Sequence, residues 1–147
     1  MRPYEHTQIG YAVLAPLLAG LLGLLAGIIA AGPHPVLLAV SAVLLAGIAA
    51  FPTLTIEVRD GVLSWRFGLG VGRKAIALSH IETAAAVRNA WSYGWGIRLT
   101  PHGWLYNVSG LGAVEIVLRG GERFRLGSDE PEALARAIRE ARASGAN

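Results

Sequence analysis

From Thr7 to Thr55 the chain carries no Asp, Glu, Lys or Arg, although its 147 residues hold thirteen basic and ten acidic side chains in all. Within that stretch Ile9 to Ala31 supplies 23 consecutive uncharged, mostly apolar residues. As a helix rising about 1.5 Å per residue, such a run covers the roughly 30 Å hydrocarbon layer of a bilayer. Val36 to Phe51 is a second apolar run of 16 residues, short for a span, although the flanking Pro33 to Pro35 and Pro52 to Leu54 extend its apolar reach. The link Gly32-Pro33-His34-Pro35 has room only for a tight reversal. Residues 1–52 are therefore expected to form a transmembrane helical hairpin, with helices over about 9–31 and 35–51 and both outer ends on one side.

Small residues recur four apart on each helix: Ala15, Ala19, Gly23, Gly27 and Ala31 on the first, Ala42, Ala46 and Ala50 on the second. Small ridges let backbones approach closely, so these positions are the expected helix–helix packing face. Pro16 should kink the first helix, which membranes tolerate when neighbours satisfy the freed carbonyl. A secretory signal peptide competes with this reading, but its apolar core runs only about 7 to 15 residues, and here a second apolar segment follows at once. A soluble helical hairpin would need cover on every face, which a domain of this size can hardly give.

Arg2 precedes the first helix, Arg59, Arg66, Arg73 and Lys74 follow the second, and the connecting turn has no basic residue. Basic segments stay cytoplasmic, which puts both termini on the cytoplasmic side of a multi-pass protein. Twelve Arg against the lone Lys74 suggest a GC-rich coding sequence, and so the plasma membrane of a bacterium. The net charge of +3 is mild, with acidic residues interspersed among the arginines, so nucleic acid is not an expected partner. The absence of cysteine excludes disulfides, thiolate metal sites and cysteine nucleophiles.

Beyond Pro52 the hydrophobic period changes to two. Leu54, Ile56 and Val58 alternate with polar residues, Asp60-Gly61 makes a turn, and Leu63, Trp65 and Phe67 alternate again; Asp-Gly favours the type I′ turn of a hairpin. Val114, Ile116 and Leu118, then Gly120-Gly121, then Phe124 and Leu126 repeat the pattern. Further strands are expected at Lys74 to Leu78, Glu82 to Arg88, Trp95 to Thr100 and Trp104 to Val108. Asp129 as N-cap, with Glu132 three residues on, should open a helix over about 130–143 whose stripe is Leu134, Ile138 and Ala141.

The basic strand Arg73-Lys74-Ala75-Ile76-Ala77-Leu78-Ser79-His80-Ile81, the segment Tyr93-Gly94-Trp95-Gly96-Ile97-Arg98, the strand Val114 to Leu118 and the final helix together resemble bacterial pleckstrin-homology-like domains, which often follow a two-helix membrane anchor. Gly103 to Gly110 and Leu126 to Pro131 look like a subgroup of uncharacterised membrane proteins. The resemblance implies an α+β membrane protein: over residues 53–143, an antiparallel β-barrel of seven or so strands with a C-terminal helix, and no reaction.

Gly68-Leu69-Gly70-Val71-Gly72-Arg73-Lys74 is glycine-rich and basic, but a nucleotide loop needs a helix after it and here a strand follows. It reads either as a flexible inter-strand loop or as one that touches anionic headgroups, with Arg66, Arg73 and Lys74 as the contacts the resemblance implies. Core packing is expected for Trp95 and Trp104, exposed contact for Trp91 and Tyr93. The four histidines are scattered, so no metal is expected, and no carboxylate is placed to orient His80 for a triad. The chain reads as a non-enzymatic interaction module without a cofactor, with the lipid bilayer and either a protein partner or a second copy of itself, as a homo-oligomer, for company. The alternative is an accessory subunit of a membrane enzyme or transporter complex. A pocket holding Arg98, His102 and Glu115 would favour an enzyme.

Overall fold

The computed structural model describes residues 3–145; Arg2, used above for orientation, lies outside them. The chain opens with a strand, β1 (Tyr4–Ile9), before the helices α1 (Tyr11–Ala31) and α2 (Pro35–Ala50). The next strand, β2 (Thr53–Arg59), pairs antiparallel with β1, from Ile9 opposite Thr53 to Tyr4 opposite Val58. The helical hairpin is thus the loop of a β-hairpin, and residues expected to belong to the anchor are the edge strand of the following sheet.

α1 is long and apolar enough to cross a membrane: its most apolar window has a mean hydropathy of 2.5, and none of that window is buried within the protein. α2 is a shorter apolar helix of 16 residues, capped at its start by the His34 ring, whose Nδ1 accepts from Val36 N at 3.3 Å. The two helices meet along Leu14, Leu17, Leu21, Leu24 and Ile28 on α1 and Leu37, Ser41, Leu44 and Ile48 on α2, the sides that lose exposure. This alternating three–four spacing is that of coiled-coil packing.

The expected ridge of small residues is not that face. Ala15, Ala19, Gly23, Ala42 and Ala46 are exposed, and a Cβ on Gly23 or Gly27 would meet nothing within 4 Å. Leucines offer more contact area than glycine and alanine, and the glycines that do lie between the helices are Gly20, facing Leu44, and Gly47, facing Leu17. Ser41, the one buried polar residue of the pair, satisfies its hydroxyl on Leu37 O at 2.8 Å.

Two sheets follow from the alternation. β2 and β3 (Val62–Phe67) form the expected hairpin, with Asp60 at φ 51° and Gly61 at φ 77° as a type I′ turn requires. β4 (Val71–Ala77) completes a four-stranded antiparallel sheet in the order β1-β2-β3-β4. The second sheet holds β5 (Ile81–Arg88), β6 (Gly96–Thr100), β7 (Gly103–Asn107), β8 (Gly112–Leu118) and β9 (Arg123–Gly127), ordered β5-β8-β9-β7-β6. All its pairs are antiparallel except β7 with β9.

The expected antiparallel β-barrel is therefore not closed but split into two sheets. A 3₁₀ turn at Leu78–His80 ends the first sheet, β4 keeps a free edge, and the β6–β7 hairpin takes the far edge of the second sheet. α3 (Pro131–Ser144) crosses β5 and β8 and reaches β2, so it covers one opening between the sheets. Its buried Leu134, Ile138 and Ala141 are the expected stripe, joined by Ala135. The expected cap differs: Asp129 turns to His6, and Ser128 Oγ accepts from Glu130 N at 3.0 Å instead.

Candidate membrane-proximal site

The feet of the hairpin are sewn to the sheet. Gly10 N donates to Pro52 O at 2.7 Å, in line with the β1–β2 ladder. A Cβ on Gly10 would lie 2.8 Å from Val108 Cβ, 3.0 Å from Val108 O and 3.2 Å from Pro52 O, so the segment after β7 is packed directly under the first helix. Phe51 meets Phe67 at 6.4 Å between ring centres. Gly68 is pressed against the Ala49 and Ala50 carbonyls at the end of α2, a fit that no larger residue allows. Gln8 Nε2 donates to Ser109 O at 3.0 Å, tying β1 to the same segment.

This end of the protein carries the loop singled out in the sequence. Gly68-Leu69-Gly70 turns beside the last carbonyls of α2, with Gly70 N donating to Phe67 O at 2.8 Å, and leaves Leu69 86% exposed. Tyr11 and Phe51, at the helix ends, are also exposed. Arg66 stands opposite Thr55, itself opposite Thr7, two residues from the feet. At about 3.3 Å per residue that is roughly 7 Å, within reach of a long guanidinium side chain. Arg73 is exposed within the irregularity between β3 and β4.

Lys74 parts company with them. It pairs with Trp65, whose side chain is in the core, and its Nζ donates to Tyr106 Oη at 2.9 Å while lying 5.3 Å from the centre of that ring. Period two puts adjacent basic residues of one strand on opposite faces, so Arg73 and Lys74 cannot act as one cluster. Lys74 belongs to a cleft between the sheets that the sequence reading did not anticipate.

Trp91 and Tyr93 sit in a 3₁₀ turn at Trp91–Tyr93. Its loop is held to the segment beneath the helices by Asn89 N on Leu111 O at 2.7 Å and by Trp95 Nε1 on Gly110 O at 3.2 Å. Trp91 is 81% exposed, whereas Tyr93 is half-buried with its ring 6.1 Å from His102. Trp95 and Trp104, expected in the core, are both partly exposed. The core aromatics are Trp65, Tyr106 and Phe124, with Trp65 stacked on Phe124 at 5.1 Å. Strand register decides this: Trp65 lies on the buried face of a central strand, and Trp104 lines the open cleft.

Of Arg98, His102 and Glu115, the last two join Arg125 in a polar network and Arg98 stands outside it. Arg125, nearly buried, donates through Nε to Glu115 Oε2 at 2.9 Å and through Nη1 to Asn89 Oδ1 at 3.0 Å. His102 stands 3.8 Å from Glu115, and Arg98 turns away to Trp95 O. The cation already paired with Glu115 satisfies that carboxylate and holds the 89–95 loop down on the sheet. A Tyr4 phenol packed near Glu130 and Asp129 is pushed up to about 12, first by burial and then by the two negative charges. No protein-family model matches the chain, and no curated protein matches it.

Proposed function

We propose that the chain is a membrane-anchored, non-enzymatic interaction module of pleckstrin-homology-like architecture, standing on the cytoplasmic face of a bacterial plasma membrane and binding a protein partner or a second copy of itself, with its membrane-proximal end against anionic headgroups. The observation that carries this reading is that an unburied apolar helix leaves the sheet at Gly10 and its partner helix returns at Pro52, one hydrogen bond away. If α1 crosses, α2 crosses back. α1 rises about 31 Å, and α2 supplies about 24 Å, with residues 32–34 in extended form making up the difference. Both termini then share one side with the sheets, and Arg59, Arg66, Arg73 and Lys74 mark that side as cytoplasmic.

The architecture supports the family likeness in its four-stranded meander, second sheet and C-terminal helix across the gap. It departs in the β6–β7 hairpin, the parallel β7–β9 pair and an anchor that interrupts the first sheet instead of preceding it. Leu69, Tyr11 and Phe51 at the feet suit the boundary between acyl chains and headgroups, where aromatic and long apolar side chains collect. Arg66 and Arg73 would each add on the order of 1 kcal/mol at an anionic surface.

Because the chain lacks cysteine, Leu69→Cys carries a single environment-sensitive fluorophore. In the full chain reconstituted into nanodiscs, spin labels at lipid headgroup depth should quench it, more so with anionic lipid and less after Arg66→Glu with Arg73→Glu. Release of the chain from membranes by alkaline carbonate, or a fluorophore no more quenched than one in water, would overturn the proposal. A C-terminal reporter that works only outside the cytoplasm should stay silent.

A further inference from the structure

The second opening between the sheets, the one α3 does not cover, is a cavity of about 810 Å³, within the size range of small-molecule sites. β4 forms one wall and β7, β8 and β9 the other. Its floor is aromatic and buried, with Trp65 edge-on to Tyr106 at 5.3 Å and Phe124 stacked on Trp65, while Trp104, 49% exposed, stands at the opening. Hydrogen-bond donors outnumber acceptors there. The Trp65 indole N–H is buried without a partner. Tyr106 Oη accepts from Lys74, which leaves the phenolic hydrogen to donate, and the Lys74 ammonium keeps further N–H groups free. Arg123 also lines the cavity, and among the described residues no carboxylate pairs with Lys74 or Arg123. Glu122 is the one acid in the lining, so the lining carries a net single positive charge.

We infer that this cleft is a binding site for a planar aromatic carboxylate, its ring on the exposed Trp104 over the floor that the buried Trp65, Tyr106 and Phe124 make, and its anion on Lys74 and the Tyr106 hydroxyl. An apolar guest alone would leave the phenol and ammonium donors unmet, and a small inorganic anion would leave the exposed Trp104 ring in water. A flat ring with a carboxylate satisfies both, stacking or meeting the rings edge-on while accepting charge-assisted bonds. The site stands apart from the hairpin's feet and is independent of whether Leu69 touches lipid.

The test is a titration of 2-naphthoate into the full chain in phosphatidylcholine nanodiscs, read on the ¹⁵N-labelled indole N–H signals assigned by Trp→Phe variants. The Trp65 and Trp104 signals should shift saturably while Trp95, bonded to Gly110 O, stays in place. The uncharged 2-naphthylmethanol should bind about ten-fold more weakly or worse, and Lys74→Met should weaken the acid by a similar factor. Unmoved Trp91 and Trp95 signals in Lys74→Met establish that the variant is folded. The inference is overturned by the absence of a saturable shift at millimolar naphthoate, by shifts confined to Trp91 or Trp95, or by an alcohol that binds as well as the acid; the last comparison needs no variant.

Discussion

Gly10 offers a sharp test of how the helical hairpin joins the sheet. Its φ of −84° is open to any residue, so Gly10→Ala acts through space and not through backbone conformation. The new methyl would stand 2.8 Å from Val108 Cβ, where carbon atoms ordinarily rest about 3.5 to 4.0 Å apart, so something must yield by roughly 1 Å. Val108 is buried and the Pro52 carbonyl hems the other side, so the shift falls on the hydrogen bond between Gly10 N and Pro52 O. Overpacking with a weakened bond should cost roughly 2 to 3 kcal/mol. For a domain of this size that lowers Tm by about 10 to 20 °C, measured by intrinsic fluorescence on the full chain in micelles. Gly23→Ala is the control, because a methyl there meets nothing within 4 Å; its Tm should stay within about 3 °C of the parent. A Gly10→Ala protein that melts with the parent, or a Gly23→Ala protein that falls as far as Gly10→Ala, would refute both the clamp at the hairpin's feet and the assignment of the helix interface.

Two further outcomes follow from β1 and its neighbours. Replacing residues 10–52 by Asn-Gly should give a soluble folded domain, since Ile9 and Thr53 are already paired as the ends of a two-residue turn; simple truncation after residue 52 strips β1 from Leu54, Ile56 and Val58 and should aggregate, as size-exclusion chromatography would show. Tyr4→Phe removes a hydroxyl that is buried without a partner, so at neutral pH it should be neutral or stabilise by up to about 1 kcal/mol. With the folded phenol pushed up to about 12 and the unfolded one at 10.0, the tyrosine's contribution is intact below pH 10 and declines as pH rises toward 12; the variant should lose that part of the alkaline fall in Tm.

Most strands were legible because their inward positions are uniformly apolar, as at Leu54, Ile56 and Val58. β1 was not, because its inward positions are Tyr4, His6 and Gln8, two of them polar, and its partner lies beyond the whole hairpin. Those polar groups find Asp129 and Ser109 O, contacts that exist only in the folded protein. The helix interface was misread for a different reason: Leu14, Leu17, Leu21 and Leu24 are as periodic as the small ridge, and periodicity names faces without saying which face meets a neighbour. Within the candidate site, the exposure of Trp91 and the basic character of Arg66 and Arg73 were readable. Alternation alone separates Lys74 from Arg73, but which of the two faces inward was not readable, because a bulge between Val71 and Lys74 resets the register.

The interruption of the first sheet by the anchor bears on the order in which this chain can be built. β1 is made before β2 and must stay unpaired until the more than forty residues that separate it from its partner have been made. Joining two strands across a flexible loop of that length costs about 2 to 3 kcal/mol more than across a two-residue turn. A helical hairpin already inserted in the bilayer removes most of that cost, since its packed helices deliver their ends roughly 8 to 10 Å apart. On the proposed crossing of both helices, insertion would precede zipping, and the membrane would be the template on which the first two strands find each other.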